Sequence, residues 1–261
     1  MVRRLLLEKL VIELERDRIR VRDEDGRIVS RRQTAGAILP DLCRSRAGTT
    51  VIPSRGSRIY RVAEPGGDID DIAFPQVPRG VWIRRQRILV IGRDRALVLS
   101  SRPLAKRLDL KSSGKIDPAR TRVSWPVAVL VSPRSVNVVN LQAGKRIELD
   151  AAGAIGATAV HRGRVVVVER DRVVLVNGVE LRSLDRLQAS QRLREETLVV
   201  ARNIGALLTR DTVIVADLAA GRLTQVPLPA AARSVRLEKE LVRVDTRDGR
   251  LFLDRSGRVV S

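Results

Sequence analysis

Histidine and cysteine occur once each, as His161 and Cys43, and aromatic residues make up only 2% of the chain. A single cysteine excludes a disulfide scaffold. A single histidine leaves metal centres and acid–base relays built on histidine clusters without their groups. No stretch approaches the ~20 uninterrupted apolar residues of a membrane-spanning helix. Lysine is scarce as well: Lys9, Lys106, Lys111, Lys115, Lys145 and Lys239 are the whole complement, and the remaining 44 of the 50 basic residues are arginine. The opening Met1-Val2-Arg3-Arg4-Leu5-Leu6-Leu7 places two arginines before three leucines, but Glu8 and Lys9 cut that apolar run far short of the ~7–15 residues of a signal-peptide core. A first strand and a cytoplasmic protein are the expectation.

What is present is arginine and short aliphatic runs. Thirty acidic residues against fifty basic ones give a formal net charge of +20, and 44% of the 261 residues are hydrophobic, too many for a disordered chain. An arginine-rich, cysteine- and methionine-poor composition suits a heat-adapted (thermophile) protein with surface ion pairs. A GC-rich coding bias gives the same profile, and it raises basic charge without any basic function.

The aliphatic runs repeat. Arg164 to Leu181 spells a strand, an Arg170-Asp171 turn, a second strand, an Asn177-Gly178 turn and a third strand. The same phrase recurs around Arg16-Asp17, Arg93-Asp94, Arg210-Asp211 and Arg247-Asp248, and more loosely around Arg55 and Arg134. The seven turn arginines fall at 16, 55, 93, 134, 170, 210 and 247, a mean step of 38.5 residues. Seven units of that length fill the chain. A first strand precedes each anchor, at 4–7, 37–39, 80–83, 121–124, 157–160, 197–200 and 234–237. A fourth follows a glycine-bearing turn such as Ala143-Gly144, Ala220-Gly221 or Arg255-Ser256-Gly257. Xaa-Gly tips supply the positive φ that tight hairpins require. Runs without polar alternation, such as Val165–Val168, predict strands buried on both faces.

Seven four-stranded antiparallel units at this period resemble the WD40-like and related β-propeller superfamily in period and strand pattern over the whole chain. The Gly-His and Trp-Asp signatures are absent: Trp82 and Trp125 are the only tryptophans, and neither precedes an aspartate. The expected fold is all-β, a single seven-bladed β-propeller domain over 1–261, with blades near 1–34, 35–76, 77–112, 113–152, 153–188, 189–228 and 229–261. Closure is expected by packing of aliphatic faces between the terminal blades, without strand exchange. A hairpin-rich barrel or sandwich is the structural alternative.

Candidate chemistry is basic. The strongest cluster runs from Arg102 to Arg122 and contains Lys106, Arg107, Lys111, Lys115, Arg120 and Arg122 around the Lys111-Ser112-Ser113-Gly114-Lys115 connection. A second is the hairpin tip Arg84-Arg85-Gln86-Arg87, with Arg44, Arg46 and the His161-Arg162-Gly163-Arg164 tip near it in the expected fold. These predict grips for phosphate or another anionic group. The turn arginines admit two readings, a positively charged circle on one face or simple turn chemistry, since an aspartate accompanies five of them. The acidic run Asp68-Ile69-Asp70-Asp71 lacks the spacing of a known cation loop. No catalytic residue, metal site or cofactor is expected, and no small-molecule substrate. The expected function is a non-catalytic interaction platform for an anionic partner such as structured RNA or a ribonucleoprotein. The alternative is a protein–protein scaffold subunit that touches no nucleic acid.

Overall fold

The computed structural model describes residues 2–151 and 153–260. The described secondary structure is strand throughout apart from a 3-10 turn at Pro40–Leu42. Strands gather into seven antiparallel sheets in strict chain order, six with four strands and the last with three. The chain divides into two compact units, Met1–Pro118 and Ala119–Ser261.

The first unit holds three sheets. Sheet 1 comprises Arg3–Leu6, Val11–Leu14, Arg18–Arg22 and Ile28–Gln33; sheet 2, Arg44–Arg46, Thr49–Ser54, Arg58–Ala63 and Ile69–Ala73. Sheet 3 comprises Gly80–Arg84, Arg87–Ile91, Arg95–Ser101 and Leu104–Lys111. Sheets 1 and 2 pack through Ile12, Leu14, Ile19 and Val21 against Ile38, Cys43, Ile52, Tyr60 and Val62. Sheets 2 and 3 pack through Val51, Ile59 and Phe74 against Val81, Ile83, Ile88, Val90, Leu97 and Leu99.

The second unit holds four. Sheet 4 comprises Arg122–Ser124, Val127–Val131, Ser135–Asn140 and Lys145–Asp150; sheet 5, Ile155–His161, Arg164–Glu169, Arg172–Asn177 and Arg182–Gln188. Sheet 6 comprises Arg194–Ala201, Ile204–Leu208, Thr212–Asp217 and Arg222–Pro227, and sheet 7 Ala232–Glu238, Leu241–Thr246 and Arg250–Leu253. The valine run of sheet 5 shows why alternation is lost. Val165 and Val167 face the valines of sheet 4, while Val166 and Val168 face Leu207 and Ile214 of sheet 6. Each such side chain contributes about 1.5–3 kcal/mol by leaving water, and β-branched residues fit a pleated surface covered on both sides.

Every Arg-centred turn lies between the second and third strands of its sheet, as the repeat predicts. The backbone of these turns also anchors the link to the next sheet. Thr34 and Ile38 donate their amides to the carbonyls of Asp17 and Arg16, at 2.8 and 2.7 Å. Ser112 and Ile116 do the same to Asp94 and Arg93, Ala189 and Leu193 to Asp171 and Arg170, and Leu228 and Ala232 to Asp211 and Arg210. Two amides four residues apart thus dock these four links onto their turns, and the otherwise unpaired turn carbonyls are satisfied; Phe74 to Ser57 and Ala151 to Arg134 are single bonds of the same kind.

Two expectations are corrected. The segment 37–39 is not the first strand of sheet 2; it makes one isolated bridge, Ile38 to Ser54, and the first strand is Arg44–Arg46. After Gly257 the chain returns with one bridge, Leu253 to Val259, instead of a fourth strand in sheet 7. The outer faces of the terminal sheets mix charged with apolar residues, Leu6 and Val11 in sheet 1 and Phe252 in sheet 7. The face of sheet 1 away from sheet 2 carries the cross-strand row Arg4, Glu13, Arg20 and Arg31. The face of sheet 7 away from sheet 6 carries Ser234 opposite Asp245 and Arg236 opposite Arg243. The strand Arg3–Leu6 pairs with Val11–Leu14 of its own sheet.

Candidate anion-binding surface

The Arg-Asp turns are tight. The amide of Glu15 bonds the carbonyl of Arg18 at 2.9 Å, Gly92 bonds Arg95 at 2.8 Å, Thr209 bonds Thr212 at 2.9 Å and Thr246 bonds Gly249 at 2.8 Å. With the backbone committed inward, the side chains of the tip point to water. Arg16, Arg55, Arg93, Arg134, Arg170, Arg210 and Arg247 are all exposed, and none of the seven has an ion-pair partner among the described residues. The neighbouring aspartates do not neutralise them through contact: Gln33 donates to Asp17 at 2.8 Å, Gln76 donates to Asp94, and Gln191 donates to Asp211 at 2.7 Å. Structural turn and cationic display are therefore two halves of one device. Carbonyls hold the link, and guanidiniums are left for solvent.

The predicted residues divide between both ends of the sheets. Lys111 closes the last strand of sheet 3 opposite Arg95, and Lys115 lies in the link that docks on Arg93 and Asp94, so both sit at the turn end of that sheet and both are exposed. Lys106 and Arg107 are exposed on the same strand, and Lys106 reaches Asp109 at 3.6 Å. Arg84, Arg85 and Arg87 form the hairpin tip at the opposite end of sheet 3, where Arg84 faces Arg87 across the strands. Arg120 and Arg122 belong to the second unit, and their guanidiniums serve the backbone. Arg120 donates to the carbonyls of Ile155 and Gly156, the latter at 2.8 Å, and Arg122 donates to Ala119 at 2.7 Å. Arg44 is similarly spent on the carbonyls of Asp41 and Cys43, both at 2.8 Å.

The hairpin tips carry a signal that composition hides. Arg85, Arg162, Arg202 and Lys239 each occupy the first tip position between first and second strands with φ of 52°, 46°, 52° and 56°. Left-handed backbone disfavours residues with a Cβ, and arginine or lysine is retained there in place of glycine or asparagine. In the second unit, His161, Arg162, Arg164, Asn177, Arg202 and Asn203 line a groove of about 290 Å³. Arg164 is anchored there to the carbonyl of Leu218 at 2.8 Å, and the buried Nε2 of His161 has no hydrogen-bond partner among the described residues. Burial, then the adjacent Arg162, lowers the imidazole pKa below its ordinary value. The Arg162-Gly163 and Arg202-Asn203 pairs announce two-residue tips in the sequence, but nothing in it places them in one groove.

The acidic run is used internally. Asp71 pairs with Arg32 at 2.9 Å and with Arg58, and Asp70 pairs with Arg61. Cys43 is buried, and desolvation pushes its thiol up to about 12.

No family model and no curated protein matches the chain. Solved structures resemble it in outline. It aligns over 94% of its length with 80% of the computationally designed Ika8 protein, at 14% identity and a TM-score of 0.48. It aligns over 99% of its length with 86% of BamB from Moraxella catarrhalis, at 10% identity and 0.43. Sqt1 from Saccharomyces cerevisiae aligns over 97% of this chain and 82% of its own, at 8% identity and 0.43. BamB and Sqt1 are propeller proteins. At these TM-scores the likeness carries no argument about what this chain does.

Proposed function

We propose that this chain is a non-catalytic interaction platform whose turn ends take an anionic macromolecule, structured RNA or a ribonucleoprotein. One observation carries the reading. An arginine stands at the same turn of every sheet, exposed and without a carboxylate partner among the described residues. Each such guanidinium that meets a phosphate releases condensed counterions, which is the driving term of nucleic-acid association. Aromatic residues at 2% give few stacking platforms for single-stranded bases, so the favoured partner is a folded RNA contacted through its backbone and shape. The constant repeat and the meander order of the sheets also support the finer fold, a ring of seven blades; small-angle scattering distinguishes a ring from an open row of sheets.

The test replaces Arg16, Arg55 and Arg93 of the first unit together with glutamine and follows the binding of a structured RNA by fluorescence anisotropy. Wild-type affinity is expected to fall by orders of magnitude between about 50 and 200 mM salt, and the triple variant to lose about one unit of log–log salt slope per phosphate contact removed. RNA binding that ignores both salt and the substitutions would overturn the reading, and absence of RNA binding would overturn it in favour of the protein–protein scaffold.

A further inference from the structure

We propose a second, separate site: a cleft on the outer half of sheet 1 that binds the phosphate groups of a small ligand. Arg18, Arg20, Ile28, Arg31, Arg32 and Gln33 line a cavity of about 550 Å³ there, within the range of small-molecule pockets. Four of those six residues are arginine. Glu15 lies 3.0 Å from Arg20 and 3.7 Å from Arg18, and Asp71 lies 2.9 Å from Arg32. Gln33 is turned to Asp17, its Nε2 donating at 2.8 Å. Two carboxylates thus serve three guanidiniums of the cleft and, through Asp71, Arg58 as well, and Arg31 is left exposed without a partner among the described residues.

The register sharpens this. Arg20 and Arg31 stand directly opposite each other on adjacent strands, a pairing of like charges that destabilises a sheet when nothing lies between them. A phosphate oxygen between the two forks converts that repulsion into two charge-assisted hydrogen bonds, the geometry guanidinium groups satisfy best. At the other end of the cleft Ile28 stands 49% exposed, an apolar floor for the organic part of a phosphate ester. The ligand chemistry is therefore a phosphate dianion or short polyphosphate, inorganic or carried on a nucleoside. This site does not rest on the turn arginines, and its fate is measured separately from theirs.

Isothermal titration of the full chain with tripolyphosphate and with a nucleoside triphosphate, each at about 50 mM salt, tests the proposal. One saturable site per chain is expected, weakened about tenfold or more by Arg31→Gln and by Arg18→Gln, and unchanged in the turn-arginine triple variant. Equal affinity for the two ligands assigns the phosphate chain alone; tighter nucleotide binding that Ile28→Ala removes assigns the ester, and both outcomes support the site. Arg31 is exposed on an edge strand, so a circular dichroism melt equal to wild type shows that Arg31→Gln is folded. Absence of saturable binding, or a folded Arg31→Gln variant that binds as wild type does, would overturn the proposal.

Discussion

At the residue scale, this protein uses charge in the interior sparingly and always paired. Glu169 keeps only 4% of its side-chain exposure, and both of its oxygens accept from the single Nη2 of Arg172, at 2.6 and 2.9 Å, on the second and third strands of sheet 5. Removing one partner of a buried pair costs more than the pair contributes, because the remaining charge keeps its desolvation penalty. Arg172→Leu is expected to lower the unfolding free energy by about 2–3 kcal/mol, below the full penalty because Arg172 itself keeps some exposure. Adding Glu169→Leu should recover most of the loss in a urea titration; a double variant no more stable than the single one would contradict the account. Half-buried carboxylates act through pH. The Ser234 hydroxyl, at 2.8 Å, and then Arg243 hold Asp245 below its ordinary pKa, and Ser256 with the Arg258 amide does the same for Asp254. A depressed carboxylate stabilises the fold above its unfolded pKa, and that contribution disappears as pH falls through the folded value. Stability should therefore decline from about pH 4 downward, and Asp245→Asn should flatten part of that limb in urea midpoints taken against pH. An unchanged slope would remove Asp245 from the explanation.

At the element scale the governing feature is the docking of each link on the preceding turn. A link also abuts the turn that follows it, and Gly56, in the second-to-third-strand turn of sheet 2, shows how tight that second contact is. A Cβ there would lie 1.7 Å from the carbonyl oxygen of Ala35, in the link that joins sheets 1 and 2. Backbone cannot withdraw as a flexible side chain does, so Gly56→Ala is expected to cost about 3 kcal/mol or more. Gly26→Ala, at φ 77° but with nothing within 4 Å, should cost only the left-handed penalty of about 1 kcal/mol; thermal melts of the two variants compare them directly, and equal losses would refute the close approach of the link to the sheet 2 turn. The same turns explain what the sequence discloses. An arginine-bearing turn between two aliphatic runs reads as a hairpin because both the tip and its flanks are local, and all seven such turns, five of them Arg-Asp, fell where the repeat puts them. The first strand of sheet 2 was hidden because Ala37-Ile38-Leu39 looks like a strand while Arg44-Ser45-Arg46 does not. That strand pairs on one side only and is exposed throughout, so apolar content is no guide to it. The charged outer face of sheet 1 was legible in the alternation Arg18-Ile19-Arg20-Val21-Arg22, but an expected aliphatic seam argued against seeing it. Grooves such as that of His161 and Arg202 join residues some forty positions apart, and no local pattern encodes such a meeting.

For the whole molecule the dominant quantity is the formal net charge of +20. Two effects of salt then oppose each other. Screening weakens local pairs such as Arg243 with Asp245 at 2.9 Å and Arg20 with Glu15 at 3.0 Å, but surface pairs that keep a share of their solvent are worth about 0–1 kcal/mol each. Screening also relieves the mutual repulsion of the unpaired cations, which extends over the whole surface because the Debye length is about 30 Å at 0.01 M salt and contracts to about 8 Å at 0.15 M. The excess of basic residues is large and the turn arginines have no carboxylate contact, so relief should win. The urea midpoint is expected to rise with sodium chloride across that interval, and to rise further when phosphate replaces chloride, since a multivalent anion bridges neighbouring guanidiniums. A midpoint that falls with chloride would mean that the ion pairs outweigh the self-repulsion. The arginines at the turns would then be held in a surface network of compensating charge, and the platform reading would lose the free cations on which it stands.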